Sequence, residues 1–449
     1  MSESDSAVIQ SSQAKAAGSA PVPRSWPVRP GLKLIPQSRL DTRSDKEIVS
    51  ALLQHRPVTS EKNVWAFWHS GLLQAPPWLQ RNVINWARRL PSWTIRVLDK
   101  VPDSSLNVYN FLGPAFLPDA FNNNAMTGPH TGPHSADLVR LPLVYLHGGV
   151  WMDVGILLFR DLDDICWHAL EDPQSPYELA GFAFEGLIGG RKTIPNSFIA
   201  ARKGNEFIKR WMDIYLEVWK GVTEQTGMHS HPLLKHLPLP GSPTKIGVRA
   251  GKPSVENLDL QPSSQKANAK RPELNATRSE PDEQELLFSK TLADYAAQCY
   301  CFNRLSHLKD PSDGFSGSEY LNSRGLFFDA MQECLLALQL TGWDGNKQFE
   351  YLSARKSDGN KEAEMFAEAV VRDSCQLKVS HGFHSHMVFL GRLWEQPGNE
   401  DADHAEGTFA AYLRYASVFL EQTREMKSEP WGQFEIDMLH VGVTEVGKT

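Results

Sequence analysis

The stretch SADLVRLPLVYLHGGVWMDVG, residues 135–155, decides the fold of this chain. Its first half has a helical pattern that carries Asp137 and Arg140 three residues apart, on one face. Two adjacent glycines then end the helix and allow a sharp turn. An apolar strand follows, and its carboxyl end delivers one acidic side chain, Asp153. A helix that turns directly into a buried strand is a typical building block of α/β proteins.

Upstream of this stretch the sequence has the pattern of a strand–helix–strand unit. Residues 64–69 are a short aromatic and aliphatic run, residues 77–90 have helical periodicity, and residues 93–98 have the pattern of a second strand. Such close spacing favours a parallel sheet. Ligands of open α/β sheets bind beyond the carboxyl ends of the strands. We therefore expect Asp153 to lie in a ligand site.

Composition divides the rest of the chain. Residues 1–45 are rich in Ser, Ala, Pro and Gln and are predicted to be a flexible arm, followed by an α/β core over residues 46–240. Residues 241–283 are polar and rich in Pro and Ser, as in a surface insertion or a disordered loop. Residues 284–430 are predicted to be a largely helical part that completes the site, and residues 431–449 a tail. The helical patterns in that part cover residues 286–299, 325–340, 361–372 and 407–426.

Bulk composition limits the class of protein. The chain has 449 residues, of which 41% are hydrophobic, so a sizeable core can form. A formal net charge of −7 without a basic block argues against nucleic acid as a partner. The sequence has no apolar run long enough for an integral membrane segment, and residues 1–30 lack the apolar core of a signal peptide. We therefore expect a cytoplasmic protein, and the sequence is silent on its oligomeric state.

An ionised side chain at the end of an apolar strand is costly unless it is paired. Asp153 is therefore placed to meet a bound cation or a ribose hydroxyl. A sugar transferase needs a charged site, because its leaving nucleoside diphosphate is an anion that Mg²⁺ or Mn²⁺, or Arg and Lys side chains, must stabilise. Asp137 and Arg140 are candidates for the same site, and a mutual surface pair is the alternative.

The segment 135–155 resembles the S-x-D-x-x-R…Y…G-G-x-W-x-D stretch of capsular polysaccharide synthesis proteins and of related DXD-containing sugar transferases. The run VWAFWH at 64–69, NSFIAA at 196–201 and GTF at 407–409 are similar to other pieces of the same family. The resemblance extends from about residue 60 to about residue 425, without the polar insertion. It implies a GT-A fold, which is a Rossmann-like α/β domain. It also implies transfer of a sugar from a UDP- or GDP-sugar donor to a hydroxyl of a small or glycan acceptor.

The resemblance also implies the site residues. Asp153 matches the first acid of the DXD motif, which contacts metal and ribose, and Asp137 and Arg140 match positions near the nucleotide sugar. Asp153 and Asp137 are thus the candidate catalytic residues, and Arg140 the candidate for neutralising phosphate. The other substrate-binding candidates are Trp68, His69, Gly148, Gly149, Trp151, Gly155 and Asn196. The implied cofactor is Mn²⁺ or Mg²⁺ on Asp153, although Gly155 stands in place of the second acid and leaves metal dependence open.

Further clusters of polar residues have two interpretations each. The run HGFHSH at 381–386 is a candidate source of metal ligands, His384 and His386 above all, or else a strand or turn with polar caps. The acid pairs DLD at 161–163 and DAD at 401–403 are predicted to be solvated loop or helix-cap residues.

Two functions remain open at this point, and a purely structural partner protein is a third alternative, against which Asp153 at a strand end argues. The first is a glycosyltransferase that uses a nucleotide sugar. The alternative is a degenerate glycosyltransferase fold that binds or transforms a small metabolite without sugar transfer, which the loss of the second acid and the lack of a membrane anchor would allow.

Overall fold

A computed structural model of the chain describes residues 26–188, 191–240, 283–381 and 388–432. The strands are β1 (Leu32–Leu34), β2 (Asn63–Phe67), β3 (Thr94–Leu98), β4 (Gly149–Met152), β5 (Ile156–Leu158), β6 (Leu179–Ile188), β7 (Arg191–Thr193), β8 (Phe198–Ala201), β9 (Gly325–Asp329), β10 (Gln376–Lys378) and β11 (Leu420–Gln422). The α-helices of the N-terminal half are α1 (Asp45–Leu52), α2 (Pro77–Arg89), α3 (Asp119–Asn122), α4 (Thr131–His147), α5 (His168–Glu171) and α6 (Glu206–Val218). Those of the C-terminal half are α7 (Glu283–Tyr295), α8 (Ala297–Ser306), α9 (Gly317–Arg324), α10 (Ala330–Glu333), α11 (Leu336–Leu340), α12 (Gly345–Ser353), α13 (Lys361–Asp373), α14 (Leu390–Trp394) and α15 (Phe409–Phe419).

One mixed sheet lies at the centre of the fold, with strand order β3–β2–β4–β8–β6–β7 and with β9 also paired to β6. Strands β2, β3 and β4 are parallel, and the predicted strand–helix–strand unit β2–α2–β3 is confirmed. Strand β8 runs antiparallel to both β4 and β6. The carboxyl ends of the parallel strands, at Phe67, Leu98 and Met152, therefore lie at one edge, which we call the carboxyl edge.

Helices cover the sheet on both faces. Alternate side chains of β2 belong to two apolar clusters, with Val64 and Ala66 in one and Trp65 and Phe67 in the other. This division follows from the two-residue period of a strand, which sends successive side chains to opposite faces. Side chains of α2, α13 and α15 complete the first cluster, and those of α4, α6 and α8 complete the second.

The predicted class, an α/β fold with a largely helical C-terminal part, is confirmed. Three strands of the C-terminal part pair with strands of the N-terminal half, and one of them, β11, pairs with β1. Strand β9 pairs in parallel with β6, and β10 pairs antiparallel with β5. No helix among the described residues is long and apolar enough to cross a membrane.

Some predicted elements differ from the structure. The helix predicted over residues 325–340 is instead β9 followed by two short helices, because its Phe-rich start pairs with β6. The last predicted helix ends at Phe419, and β11 follows it from Leu420. Strand β11 pairs antiparallel with β1, so the arm predicted to extend to residue 45 is part of the folded body from Leu32 onward. The insertion at 241–283 and the tail at 431–449 lie almost entirely outside the described residues.

Candidate active site

Asp153 directly follows β4 and lies at the carboxyl edge, as the sequence predicts. Its backbone N–H donates a hydrogen bond to the carbonyl oxygen of Ser197 at 2.9 Å, which extends the pairing of β4 with β8 by one residue. Because β8 is antiparallel to β4, it begins at this edge and brings Asn196 to it. The side chain of Asp153 is 24% exposed, so a ligand can reach it from solvent.

Three donors hold the Asp153 carboxylate. Oδ1 accepts hydrogen bonds from Trp151 Nε1 at 2.9 Å and from Arg140 Nη2 at 3.3 Å, and Oδ2 accepts one from Lys378 Nζ at 2.5 Å. Burial alone would raise the pKa of Asp153. The charges of Lys378 and Arg140 and the hydrogen bonds outweigh burial, so this pKa lies below its ordinary value. Asp153 is therefore a carboxylate at neutral pH.

Asp137 and Arg140 form a buried ion pair on α4, in contrast to the surface pair that was the alternative. Arg140 Nη2 lies 2.9 Å from Asp137 Oδ1, and the two side chains are 3% and 8% exposed respectively. Burial raises the pKa of Asp137 to about 6, and the charge of Arg140 acts in the opposite direction. The guanidinium of Arg140 also lies over the Trp151 ring, 5.0 Å from its centroid.

Two amide side chains complete the hydrogen bonding of this pair. Asn196 Nδ2 donates to Asp137 Oδ1 at 3.1 Å and to Gln298 Oε1 at 3.0 Å. The backbone carbonyl of Asn196 accepts a hydrogen bond from Arg140 Nη1 at 2.8 Å. Gln298 Nε2 donates to the backbone carbonyl of Asp137 at 2.6 Å. Both terminal nitrogens of Arg140 are thus engaged within the protein. The guanidinium of Arg140 is enclosed by these contacts, and its expected contact with phosphate stays a prediction.

The four charged side chains form a row of alternating sign, which we call the charge row. It runs from Asp137 and Arg140 in the interior to Asp153 and Lys378 at the surface. Two carboxylates and two cations leave the row with no formal net charge. Lys378, 20% exposed, is the more exposed of its two cations, since Arg140 is 3% exposed.

Lys378 reaches the site because β10 pairs with β5, where Lys378 lies opposite Ile156. The residue before β5 is Gly155, whose carbonyl accepts a hydrogen bond from the Val379 N–H at 2.9 Å. A Cβ atom at Gly155 would lie closer than 3.0 Å to the carbonyl oxygen of Val379. Glycine at this position therefore permits the close approach of the strand that delivers Lys378.

Gly148 and Gly149 lie at the amino end of β4, across the sheet from Asp153. Both have left-handed backbone conformations, with φ of 67° and 104°. A Cβ atom added at Gly148 would lie closer than 3.0 Å to the Glu61 carboxylate, and one added at Gly149 would lie equally close to the Asn63 backbone carbonyl. Backbone conformation and packing account for these glycines, and the structure does not bring them to the charge row.

Trp68 and His69 follow β2 at the carboxyl edge. Trp68 is half-buried against the first apolar cluster, and His69 is exposed. Burial lowers the pKa of His69, and the charge of Lys100 acts in the same direction. His69 therefore presents a neutral imidazole at the edge that it shares with Asp153.

The histidine cluster is only partly described. His384 and His386 lie outside the described residues, and as metal ligands they stay predictions. His381 is described, and its Nε2 lies 2.5 Å from Glu395 Oε1 while its ring contacts that of Trp78.

The described side chains around Asp153 do not form a binding site for a divalent cation. Mg²⁺ needs octahedral coordination by oxygen atoms, but both Asp153 oxygens already accept from cationic or N–H donors. Gly155 supplies no side-chain oxygen, and Asp137 is enclosed by its own partners. Another group, formed by Asp163, His168 and Glu171, has metal-ligand spacing near the amino end of β2. The ammonium of Lys62 already pairs with both of its carboxylates.

The two further acid pairs have different environments. Asp161 accepts a hydrogen bond from the backbone N–H of Asp163 at the start of the helical segment 162–171, which is the predicted helix-cap role. Asp403, in contrast, is 1% exposed and forms ion pairs with Arg81 and Arg414. The prediction that Asp403 is solvated or a helix cap is therefore wrong, since it joins α2 to α15 inside the protein.

Sequence reasoning missed two residues of the site, Lys378 and Gln298. Each comes from the C-terminal half and meets a partner far away in sequence, Asp153 for Lys378 and Asp137 for Gln298. Neither stands in a local motif that marks it as functional.

The chain is similar to known proteins over most of its length. The family described as capsular polysaccharide synthesis protein matches residues 35–226, which include Asp137, Arg140, Asp153 and Asn196. The O-glycosyltransferase braB of Annulohypoxylon truncatum is 44% identical over 94% of this chain and 94% of its own. The glycosyltransferase afumC of Aspergillus fumigatus is 43% identical over 90% of this chain and 96% of its own. The O-glycosyltransferase PaGT of Phomopsis amygdali is 37% identical over 88% of this chain and 91% of its own.

Proposed function

From the premise that this chain belongs to the capsular polysaccharide synthesis family and is a glycosyltransferase, we propose that its donor is a nucleotide sugar, a UDP- or GDP-sugar, and its acceptor a hydroxyl group. The observation that carries this proposal is the partly exposed Asp153 carboxylate at the carboxyl edge, which accepts hydrogen bonds from Trp151, Arg140 and Lys378. Ligands of open α/β sheets bind at this edge.

The charge row has a distinct role for its inner and outer members. In the proposed complex, Asp153 accepts a hydrogen bond from a hydroxyl group of the nucleotide sugar, such as one on the ribose. Asp137 and Arg140 lie too deep to touch a substrate, and we assign them as positioning residues that orient Asp153. This assignment replaces the catalytic role expected for Asp137.

Sugar transfer breaks the bond between the anomeric carbon and the diphosphate oxygen and forms one to the acceptor oxygen. The acceptor hydroxyl loses its proton to the medium, and the diphosphate leaves as an anion. A preorganised cation beside the leaving group stabilises its growing charge. Among the described members of the charge row, Lys378 is the cation open to such a group.

Two of the similar proteins support a hydroxyl acceptor, since both braB and PaGT are named O-glycosyltransferases. Similarity over about nine-tenths of the chain favours sugar transfer over the alternative of a repurposed metabolite-binding fold. The cytoplasmic location stays a prediction.

A thermal-shift panel tests the donor class. The panel contains UDP, GDP, UDP-glucose and GDP-mannose and compares the wild type with Asp153→Ala and with the control Asp401→Ala. We expect one nucleotide class to raise the melting temperature of the wild type and of the control. A ligand that binds only the folded state adds about 2.7 kcal/mol to the free energy of unfolding when its concentration is 100 times its Kd. Asp153→Ala should show little or no rise. A folded wild type that responds to none of these ligands, or an equal response in Asp153→Ala, contradicts the proposal.

A further inference from the structure

We propose that the Lys378 ammonium takes the place of a divalent cation, so that it binds the donor diphosphate directly and donor binding needs neither Mg²⁺ nor Mn²⁺. The inference rests on the proposed function, because it requires a donor that carries a diphosphate. It differs from the expectation that the family resemblance raised, in which a metal ion on Asp153 is the cofactor.

The first argument is the position of the ammonium. Lys378 Nζ lies 2.5 Å from Asp153 Oδ2, one of the two oxygens that this carboxylate has to offer to a metal. The other oxygen, Oδ1, already accepts from Arg140 and Trp151. A metal at Asp153 would have to displace an ammonium that the carboxylate holds in a charge-assisted hydrogen bond.

The second argument is that the backbone around Gly155 leaves no space for an acidic side chain. The second acid of the DXD motif corresponds to Gly155, and a Cβ atom there would lie closer than 3.0 Å to the Val379 carbonyl. The same backbone contact pairs β5 with β10 and so delivers Lys378, which ends β10. The features that remove the second carboxylate are therefore the features that introduce the ammonium.

The third argument concerns charge. The charge row is formally neutral without a metal ion, since its two carboxylates face two cations. A second cation at Asp153 would lie beside the Lys378 ammonium and repel it. A diphosphate, in contrast, brings negative charge to the outer end of the row, where the 20% exposed Lys378 still has N–H donors for phosphate oxygens.

Isothermal titration with UDP and GDP tests the proposal on the full chain, in EDTA, in Mg²⁺ and in Mn²⁺. The variants are Lys378→Met, which removes the charge and keeps the length, and Lys378→Arg, which keeps the charge. The matched control is Lys62→Met. Lys62 is also a partly exposed lysine in an ion pair with an aspartate, Asp163, but it precedes β2 at the opposite edge of the sheet. Melting temperatures of all variants confirm that they are folded.

We expect the wild type to bind one nucleotide with similar affinity in EDTA and in Mn²⁺. Lys378→Met should bind about 10- to 100-fold more weakly, which is the range for loss of a hydrogen bond to a charged group. Lys378→Arg should retain most of the affinity, and Lys62→Met all of it. A purely structural role of Lys378 would lower the melting temperature of Lys378→Met without this pattern of affinities.

Two results overturn the inference alone: wild-type binding that EDTA abolishes and Mn²⁺ restores, or unchanged affinity in Lys378→Met. A folded wild type that binds neither nucleotide under any of the three conditions overturns the proposed function instead.

Discussion

Replacement of Arg140 by Met removes the centre of the charge row without changing its outer end. Arg140 is 3% exposed and pairs with Asp137 at 2.9 Å and with Asp153 at 3.3 Å. It also donates to the Asn196 carbonyl at 2.8 Å. In the variant, Asp153 keeps Trp151 and Lys378 as donors, whereas the enclosed Asp137 loses its cation.

The expected magnitude follows from this loss. Removal of one partner of a buried ion pair leaves an uncompensated charge and costs about 3–5 kcal/mol. The matched control is Arg43→Met, because Arg43 pairs with Asp41 while its own side chain is 48% exposed. Loss of such a surface pair costs at most about 1 kcal/mol. Urea unfolding of the three proteins at pH 8 measures both differences in the free energy of unfolding.

The pH dependence of the Arg140→Met effect has a defined sign. Burial raises the pKa of folded Asp137 to about 6 even with Arg140 present, and removal of Arg140 raises this pKa further. An acid with a raised folded pKa destabilises the protein only where it is ionised. Its cost is absent below the unfolded value of about 3.9 and grows as the pH rises through the folded value. The difference between wild type and Arg140→Met should therefore shrink from pH 8 to pH 5.

If Arg140→Met loses no more stability than Arg43→Met, or the same amount at both pH values, the buried pair is not the structural centre of the site.

Three other variants test single contacts. Asp403→Ala should lower the free energy of unfolding in urea by about 3–5 kcal/mol, because it leaves two arginines without their carboxylate partner. The exposed control Asp401→Ala should change it by no more than about 0.5 kcal/mol. Burial opposes the charge of Asp403, but its ion pairs hold its pKa below the ordinary value. The free energies of unfolding of the wild type and Asp403→Ala should therefore begin to approach each other only below about pH 4, as Asp403 becomes protonated. A difference that does not change with pH would contradict this. Gly155→Asp should lose about 1–3 kcal/mol by overpacking and should not gain Mn²⁺-dependent UDP or GDP binding; a gain measured by titration would refute the packing argument. Trp151→Phe removes one donor to the ionised Asp153 and shortens a buried side chain, so it should cost about 1.5–3 kcal/mol or more. It should also weaken nucleotide binding while EDTA stays without effect, and unchanged binding would show that this donor does not position the carboxylate.

The inner part of the site was predictable because its residues are close together in the sequence. Asp137, Arg140, Trp151 and Asp153 lie within one helix–strand segment, and the helical and strand periods alone place them near one another. The same reasoning could not separate surface from interior. Arg140 was expected near phosphate, but the Asn196 and Gln298 contacts enclose it.

The outer part was not predictable for a physical reason. Lys378 follows Asp153 by 225 positions and reaches it only because β10 pairs with β5. A three-residue strand carries too little periodicity to reveal its partner. Glycines posed a related problem, since a sequence motif does not tell whether a glycine faces a ligand or another backbone. Gly155 faces the Val379 carbonyl, and Gly149 faces that of Asn63.

The C-terminal part was assigned largely as helix, and the error at residues 325–340 has a similar origin. The run Gly325–Asp329 is a strand because β6 offers it an edge to pair with in parallel. Tertiary pairing of this kind overrides local propensity, and only the folded sheet shows which segment it selects.

Sugar transfer itself is the most direct test of the account. The measurement is release of nucleoside diphosphate from UDP-glucose, UDP-N-acetylglucosamine and GDP-mannose, with a panel of small alcohols and phenols as acceptors, both in Mn²⁺ and in EDTA. We predict release by the wild type from one of these donors, a fall of about 100-fold or more in Asp153→Asn, and wild-type rates in Lys62→Met. Turnover by Asp153→Asn at the wild-type rate would contradict the central claim that the Asp153 carboxylate anchors the donor.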